Sequence, residues 1–110
     1  MAYTPTRFIG PIGLTATADL YYTANTKIIL KQLILSNIYQ GLLSCSIWIV
    51  PNTASGIADV YKILGDCQID ANTVVTIDLN QVLNINDKIY ASANVPNGIN
   101  IVASGVTVAW

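Results

Sequence analysis

The sequence predicts an all-β protein: an antiparallel β-sandwich, jelly-roll or immunoglobulin-like, with an extended N-terminal arm. Three observations carry this. Apolar residues alternate with Ser, Thr, Asn or Asp over short runs, the period of two of a strand with one face in a core. Asn, Gly, Asp and Pro break the chain at roughly 8–12 residue intervals. No long segment repeats at helical spacing. Seven or eight strands follow, and their order of connection stays open between the two kinds of sandwich.

Residues 1–13 read as the extended arm and residues 14–110 as a single sandwich domain. Pro5, Gly10, Pro11 and Gly13 deny a helix to the arm. A segment of that composition has no core of its own and is expected to lie pinned to another surface. Leu14 to Thr23, rich in Thr, Leu and Tyr, reads as a first strand or a pair of short ones, closed by a turn at Asn25-Thr26-Lys27. Ile28 to Asn37 is a long strand with apolar residues on both faces, interrupted by Lys31 and Gln32. Such a strand needs cover on both sides. Leu42 to Val50 alternates most cleanly: Leu43, Cys45, Ile47 and Ile49 take one face, Ser44, Ser46 and Trp48 the other. Pro51 ends it, since Pro cannot donate to a ladder.

Ile57, Val60, Tyr61 and Leu64 fit one amphipathic helical segment or a short strand, and eight residues do not separate the two. Gly65-Asp66 reads as a turn, Cys67 to Asp70 as a short strand, and Thr73 to Leu79 as an alternating strand. A polar connection at Asn84 to Asp87 leads into Lys88 to Ala93. Pro96-Asn97-Gly98 turns into the last strand, Ile99 to Trp110, whose apolar phase shifts near Ser104-Gly105 as at a β-bulge.

Composition narrows the function. The 110 residues are 53% hydrophobic and 10% charged, with formal net charge -1, and mean hydropathy is +0.51. That hydrophobicity argues against disorder. Five basic residues against six acidic ones make no footprint for nucleic acid. No run approaches the roughly 18 apolar residues of a membrane helix, and the chain is short for a membrane barrel of about eight long strands. The first 13 residues hold no signal-peptide core. No nucleic-acid or membrane partner is therefore expected.

Chemistry is scarce as well. The chain contains no His and no Glu, which excludes His-based metal sites and leaves Asp, Lys, Tyr or Cys for proton transfer. Asp66 and Asp70 bracket three residues and read as turn and strand-end residues rather than an acid/base pair. Asp78, Asn80, Asn84, Asn86 and Asp87 carry oxygens that suit calcium, but without EF-hand spacing they read first as turns. Cys45 has no local cation and Cys67 follows Asp66, so neither is expected to form a reactive thiolate. The pair reads first as small buried hydrophobes in a reducing compartment, with a disulfide as the alternative. No enzyme activity and no cofactor are expected. Trp48, Tyr21, Tyr22, Tyr39, Tyr61 and Tyr90 could stack on a sugar or serve as interface anchors. Trp48 suits packing between subunits or within the domain, and Trp110, at a terminus, suits an interface.

Several segments together resemble a family of small structural proteins of tailed bacteriophages. They are Thr4-Pro5-Thr6-Arg7 with Gly10-Pro11, Leu20-Tyr21-Tyr22-Thr23, Leu35-Ser36-Asn37, Ile49-Val50-Pro51, and Ile69-Asp70-Ala71-Asn72 with Leu79. Val82-Leu83 through Asp87-Lys88-Ile89, and Val102-Ala103-Ser104-Gly105-Val106, complete the resemblance. Ile38-Tyr39-Gln40 and Asn25 depart from the family pattern. The resemblance implies a non-enzymatic β-sandwich of the virion, folded in the host cytoplasm, and carries over no catalytic or ligand residue. The expected role is capsid decoration, as a homo-oligomer (a trimer being one form it could take) bound to other virion proteins such as the major capsid protein. Arg7, Phe8 and Ile9 are then expected to dock the arm, with Trp48 and Trp110 packing between subunits. A tail or fibre subunit and a carbohydrate-binding module are the alternatives.

Overall fold

The computed structural model describes residues 2–109. Eight strands run in chain order: β1 (Ala2–Gly13), β2 (Asp19–Thr23), β3 (Ile28–Asn37), β4 (Leu43–Val50), β5 (Lys62–Ile69), β6 (Val74–Leu83), β7 (Lys88–Ala93) and β8 (Ile99–Ala109). They form two antiparallel four-stranded sheets packed as a sandwich, sheet I in the order β1-β8-β3-β6 and sheet II in the order β2-β7-β4-β5. The first half of the chain pairs with the second in reverse, β1 with β8, β2 with β7, β3 with β6 and β4 with β5. One long antiparallel ribbon is thus rolled over itself, which is the eight-stranded jelly roll. That order decides against the immunoglobulin-like alternative.

The N-terminal segment is extended, but it is built into the sandwich. As β1 it pairs with β8 from Ala2↔Ala109 to Gly13↔Asn100, and the surface that pins it belongs to its own chain. Pro5 is tolerated because β1 is an edge strand, with no partner needing a donor on its outer side. Residues 14–18, expected as strand, form a loop held by backbone bonds: the Leu14 N–H donates to the Ile99 carbonyl (2.8 Å), and the Leu14 carbonyl accepts from the Asn97 N–H (2.8 Å). Ile57 to Leu64 forms no amphipathic helix: a single 3-10 turn at Asp59–Tyr61, with no buried residue, leads into β5, which begins at Lys62.

Gly65-Asp66 is a bulge inside β5 rather than a turn between strands. Cys67 opposes Cys45 while Leu64 opposes Ile47, so two residues of β5 face the single Ser46. Asp66 takes a positive φ of 46° there, and the Ser46 hydroxyl accepts its N–H at 3.0 Å. The irregularity expected near Ser104-Gly105 is present, but the extra residues lie on the neighbouring strands. Lys31 is the unpaired residue of β3 against β8, and Phe8 that of β1. The Lys31 bulge shifts the phase of β3, so that Ile28 and Leu30 point inward before it and Leu33 and Leu35 after it.

The core comprises these residues with Leu14, Leu43, Cys45, Ile47, Ile69, Leu83, Ile89, Ile99, Ile101 and Ala103, among others. Each end of the sandwich is tied by one buried polar side chain. Asn37, 2% exposed, donates from Nδ2 to the carbonyls of Ile69 (2.8 Å) and Gly41 (3.0 Å), and its Oδ1 accepts the Tyr39 N–H (2.8 Å). At the opposite end the Asp87 carboxylate accepts the N–H groups of Asn84 (2.8 Å) and Asn52 (3.0 Å).

The two flanks differ. Phe8 and Tyr22, with ring centroids 5.3 Å apart, pack across the β1/β2 flank, and this burial raises the Tyr22 hydroxyl above its ordinary pKa. On the other flank the edge strands are β5 and β6, and their core-facing Leu64, Cys67, Val75, Ile77 and Leu79 are only half-buried.

Candidate interaction surface

Register partners share a face, so the pairings lay out the outer surface of sheet I row by row. One row crosses all four strands and is wholly apolar: Pro5 on β1, Val106 on β8, Ile29 on β3 and Val82 on β6. The next row is polar: Arg7, Ser104, Gln32 and Asp78 on the same four strands. Beyond it Val102 and Ile34 stand side by side, so apolar positions flank the polar row on both sides. The Lys31 bulge opens the middle of the face into a shallow groove of about 530 Å³, lined by Pro5, Arg7, Lys31, Gln32, Asp78 and Ser104 among others. Lys31 Nζ donates to Asn80 Oδ1 (2.7 Å) and Gln32 Nε2 to Asp78 Oδ1 (3.3 Å). Arg7, exposed at the β1 edge, forms no ion pair or hydrogen bond among the described residues.

This face unites Arg7 with residues that sequence reasoning did not select. Strand Ile28–Asn37 was expected to carry apolar residues on both faces, and Ile29 and Ile34 are those outward residues. Val82 and Val106 were missed because a row across a sheet needs register, and the bulges at Phe8 and Lys31 set that register.

Most of the other expected interface residues lie inside the domain. Phe8 is half-buried against Tyr22, and Ile9, 4% exposed, belongs to the core. Both are held there because β1 is a strand of the sandwich. Trp48 does sit on the outer face of sheet II, opposite Tyr90 and Lys62. It is nevertheless 8% exposed, with Lys62 Nζ 5.3 Å from its ring centroid. Intra-domain cover therefore accounts for Trp48. Trp110 lies outside the described residues.

The remaining candidates serve structure. Tyr21 and Tyr22 are engaged within the fold, the Tyr21 hydroxyl accepting the Thr15 N–H at 2.9 Å. Tyr39 sits in the β3–β4 loop and Tyr61 in the 3-10 turn, so the aromatics do not converge on one platform. Asp66 lies in the β5 bulge and Asp70 in the turn before β6, where its backbone carbonyl accepts the Thr73 hydroxyl (2.7 Å); both residues are exposed, and no hydrogen bond joins their carboxylates among the described residues. Asp78 lies on the sheet face while Asp87 ties loops, so the oxygen-rich stretch does not gather around one point. Cys45 and Cys67 are free thiols directly opposite each other on β4 and β5. Burial, with Cys67 beside it, pushes the Cys45 thiol up to about 12.

No family model matches the chain. No curated protein matches it either. Among solved structures it is similar to a chain in a structure of infectious bursal disease virus, Gx strain, with a TM-score of 0.40 and 15% identity. The match covers 94% of this chain and 28% of that one, so the present chain spans little more than a quarter of that neighbour's length.

Proposed function

We propose that the protein is an accessory structural subunit of a tailed-phage virion, without enzymatic activity, that decorates the capsid as a homo-oligomer and stabilises the particle by subunit contacts. The observation that carries this reading is the outer face of sheet I. An antiparallel sheet of a lone domain normally turns polar residues to water, whereas here Pro5, Val106, Ile29 and Val82 form an apolar row across all four strands. Burying apolar surface of this kind is the main drive for association, at roughly 25 cal/mol per Å². The sequence resemblance to small virion proteins supplies the setting. The fold alone does not choose, because jelly rolls serve capsids and lectins alike. Against a sugar platform stands the covered ring of Trp48. A tail or fibre subunit would act through the same kind of contact.

Immunogold electron microscopy of intact particles tests the location. Label over the head surface is expected. Label confined to the tail would transfer the reading to a tail or fibre subunit, and particles without label would overturn it.

A further inference from the structure

We propose that the outer face of sheet I is the docking site for a second copy of this chain, related by a two-fold axis parallel to the strands. The inference deepens the structural-subunit reading and rests on its premise that this face is covered.

Charge carries the choice of occupant. The polar row has a cation at one edge, Arg7 on β1, and a carboxylate at the other, Asp78 on β6, with Ser104 and Gln32 between them. Three strand spacings separate β1 from β6, about 14 Å, so the two charges cannot pair within one chain. A two-fold axis between two stacked faces, parallel to the strands, keeps each row at its own level and reverses its order. Arg7 then meets Asp78 of the second copy and Asp78 meets its Arg7, two pairs from one symmetry operation. The same operation sets Pro5 against Val82, and Val106 against Ile29, of the second copy. Apolar therefore meets apolar and Arg7 meets carboxylate, while Lys31, which also lines this face, stays bonded to Asn80 Oδ1 of its own chain (2.7 Å). An isologous contact of this kind closes on itself and does not propagate into a filament.

Shape and size agree. Aligned sheets pack face to face within about 30°. A four-stranded face is about 19 Å across and about 25 Å along strands of eight residues, so covering it on two copies removes on the order of 1,000 Å². That meets the minimum of about 1,000 Å² for a biological interface and lies below the roughly 1,200 Å² at which standard stable ones begin, so the contact is a weak one. The groove at the Lys31 bulge gives the polar row room to pair, and Arg7 has no competing partner in its own chain among the described residues. The symmetry favoured by this face is two-fold, in place of the trimer considered from sequence.

Sedimentation equilibrium of the full chain, with Arg7→Asp, Asp78→Arg and the double swap, tests the pairing. Both side chains are exposed, and circular dichroism verifies that each variant stays folded. The wild type is expected at twice the 11.8 kDa chain mass. Each single variant sets like charges together at two places and is expected to weaken association at least about tenfold. The double swap restores opposite signs and should recover wild-type association. A wild type that stays monomeric, a trimer, or a double swap as weak as the singles would overturn the proposal. The outcomes separate from the particle test: a monomer found on the head overturns only the pairing, and a dimer absent from particles overturns only the virion reading.

Discussion

Replacing Asn37 by Ala removes a buried side chain that ties the end of β3 to the β3–β4 loop and to the end of β5. Three hydrogen bonds are lost, to the carbonyls of Ile69 and Gly41 and from the N–H of Tyr39. They differ in cost. Ile69 is 1% exposed, so water does not readily replace the partner its carbonyl loses, a penalty of about 1–3 kcal/mol. Gly41 and Tyr39 lie in a loop open to solvent, and each loses about 0.5 kcal/mol, the low end of a net hydrogen bond. The total is about 3 kcal/mol. For a domain of this size that lowers Tm by roughly 12–20 °C. Urea unfolding followed by circular dichroism reads the loss, and an unchanged m-value shows that the unfolded state is not the cause. A loss below about 0.5 kcal/mol would refute the reasoning, because that is the range of a surface substitution with no structural role.

Three further outcomes follow from the structure. A Cβ at Gly105 would stand 2.0 Å from the Ile29 carbonyl oxygen and 2.9 Å from the Lys31 nitrogen, all backbone of the adjacent strand, whereas one at Gly56 meets nothing within 4 Å. Gly105→Ala should therefore unfold or severely destabilise the domain while Gly56→Ala leaves the urea midpoint unchanged; equal midpoints would contradict the bulge geometry. The Cys45 thiol, raised from 9.0 to about 12 by burial and by Cys67, keeps its proton when folded but loses it when unfolded once pH exceeds about 9. Stability from this group is thus present below pH 9 and lost as pH climbs towards 12, and the wild-type urea midpoint should fall more steeply than that of Cys45→Ala between pH 8.5 and 10.5. Alkylation of the native protein with iodoacetamide should modify the half-buried Cys67 before Cys45; peptide mapping that finds Cys45 labelled first would be inconsistent with its burial.

The legible parts of the fold were those where one strand is its own evidence. Lys88 to Ala93 alternates against a single core face, and so does β4 through Leu43, Cys45 and Ile47, although burial then continues through Trp48 and ends on Val50 rather than Ile49; their bounds follow from Pro51 and from the polar Asn84 to Asp87 turn. Illegible parts depended on partners distant in sequence. The first 13 residues were broken by Pro and Gly and read as an arm, because nothing local discloses that β8 will receive them. Gly65-Asp66 had turn chemistry, yet it sits opposite Ser46 and becomes a bulge. The surface behaved likewise: apolar residues on both sides of Ile28 to Asn37 signalled that something must cover the strand, while the cross-strand row through Pro5 and Val82 needed the register. Trp48 misled for a related reason, since its alternation correctly placed it outside sheet II but could not show the cover from Lys62.

In the proposed role, the outer face of sheet I is buried in the assembled particle. This burial is tested most directly by adding purified protein to particles stripped of it and measuring rebinding, with Val82→Lys and Val106→Lys as probes of the apolar row. The account predicts that wild-type protein rebinds saturably and raises the temperature at which the particles break open, and that the folded lysine variants bind far more weakly. Equal rebinding by wild type and variants, or no rebinding of either, would contradict it.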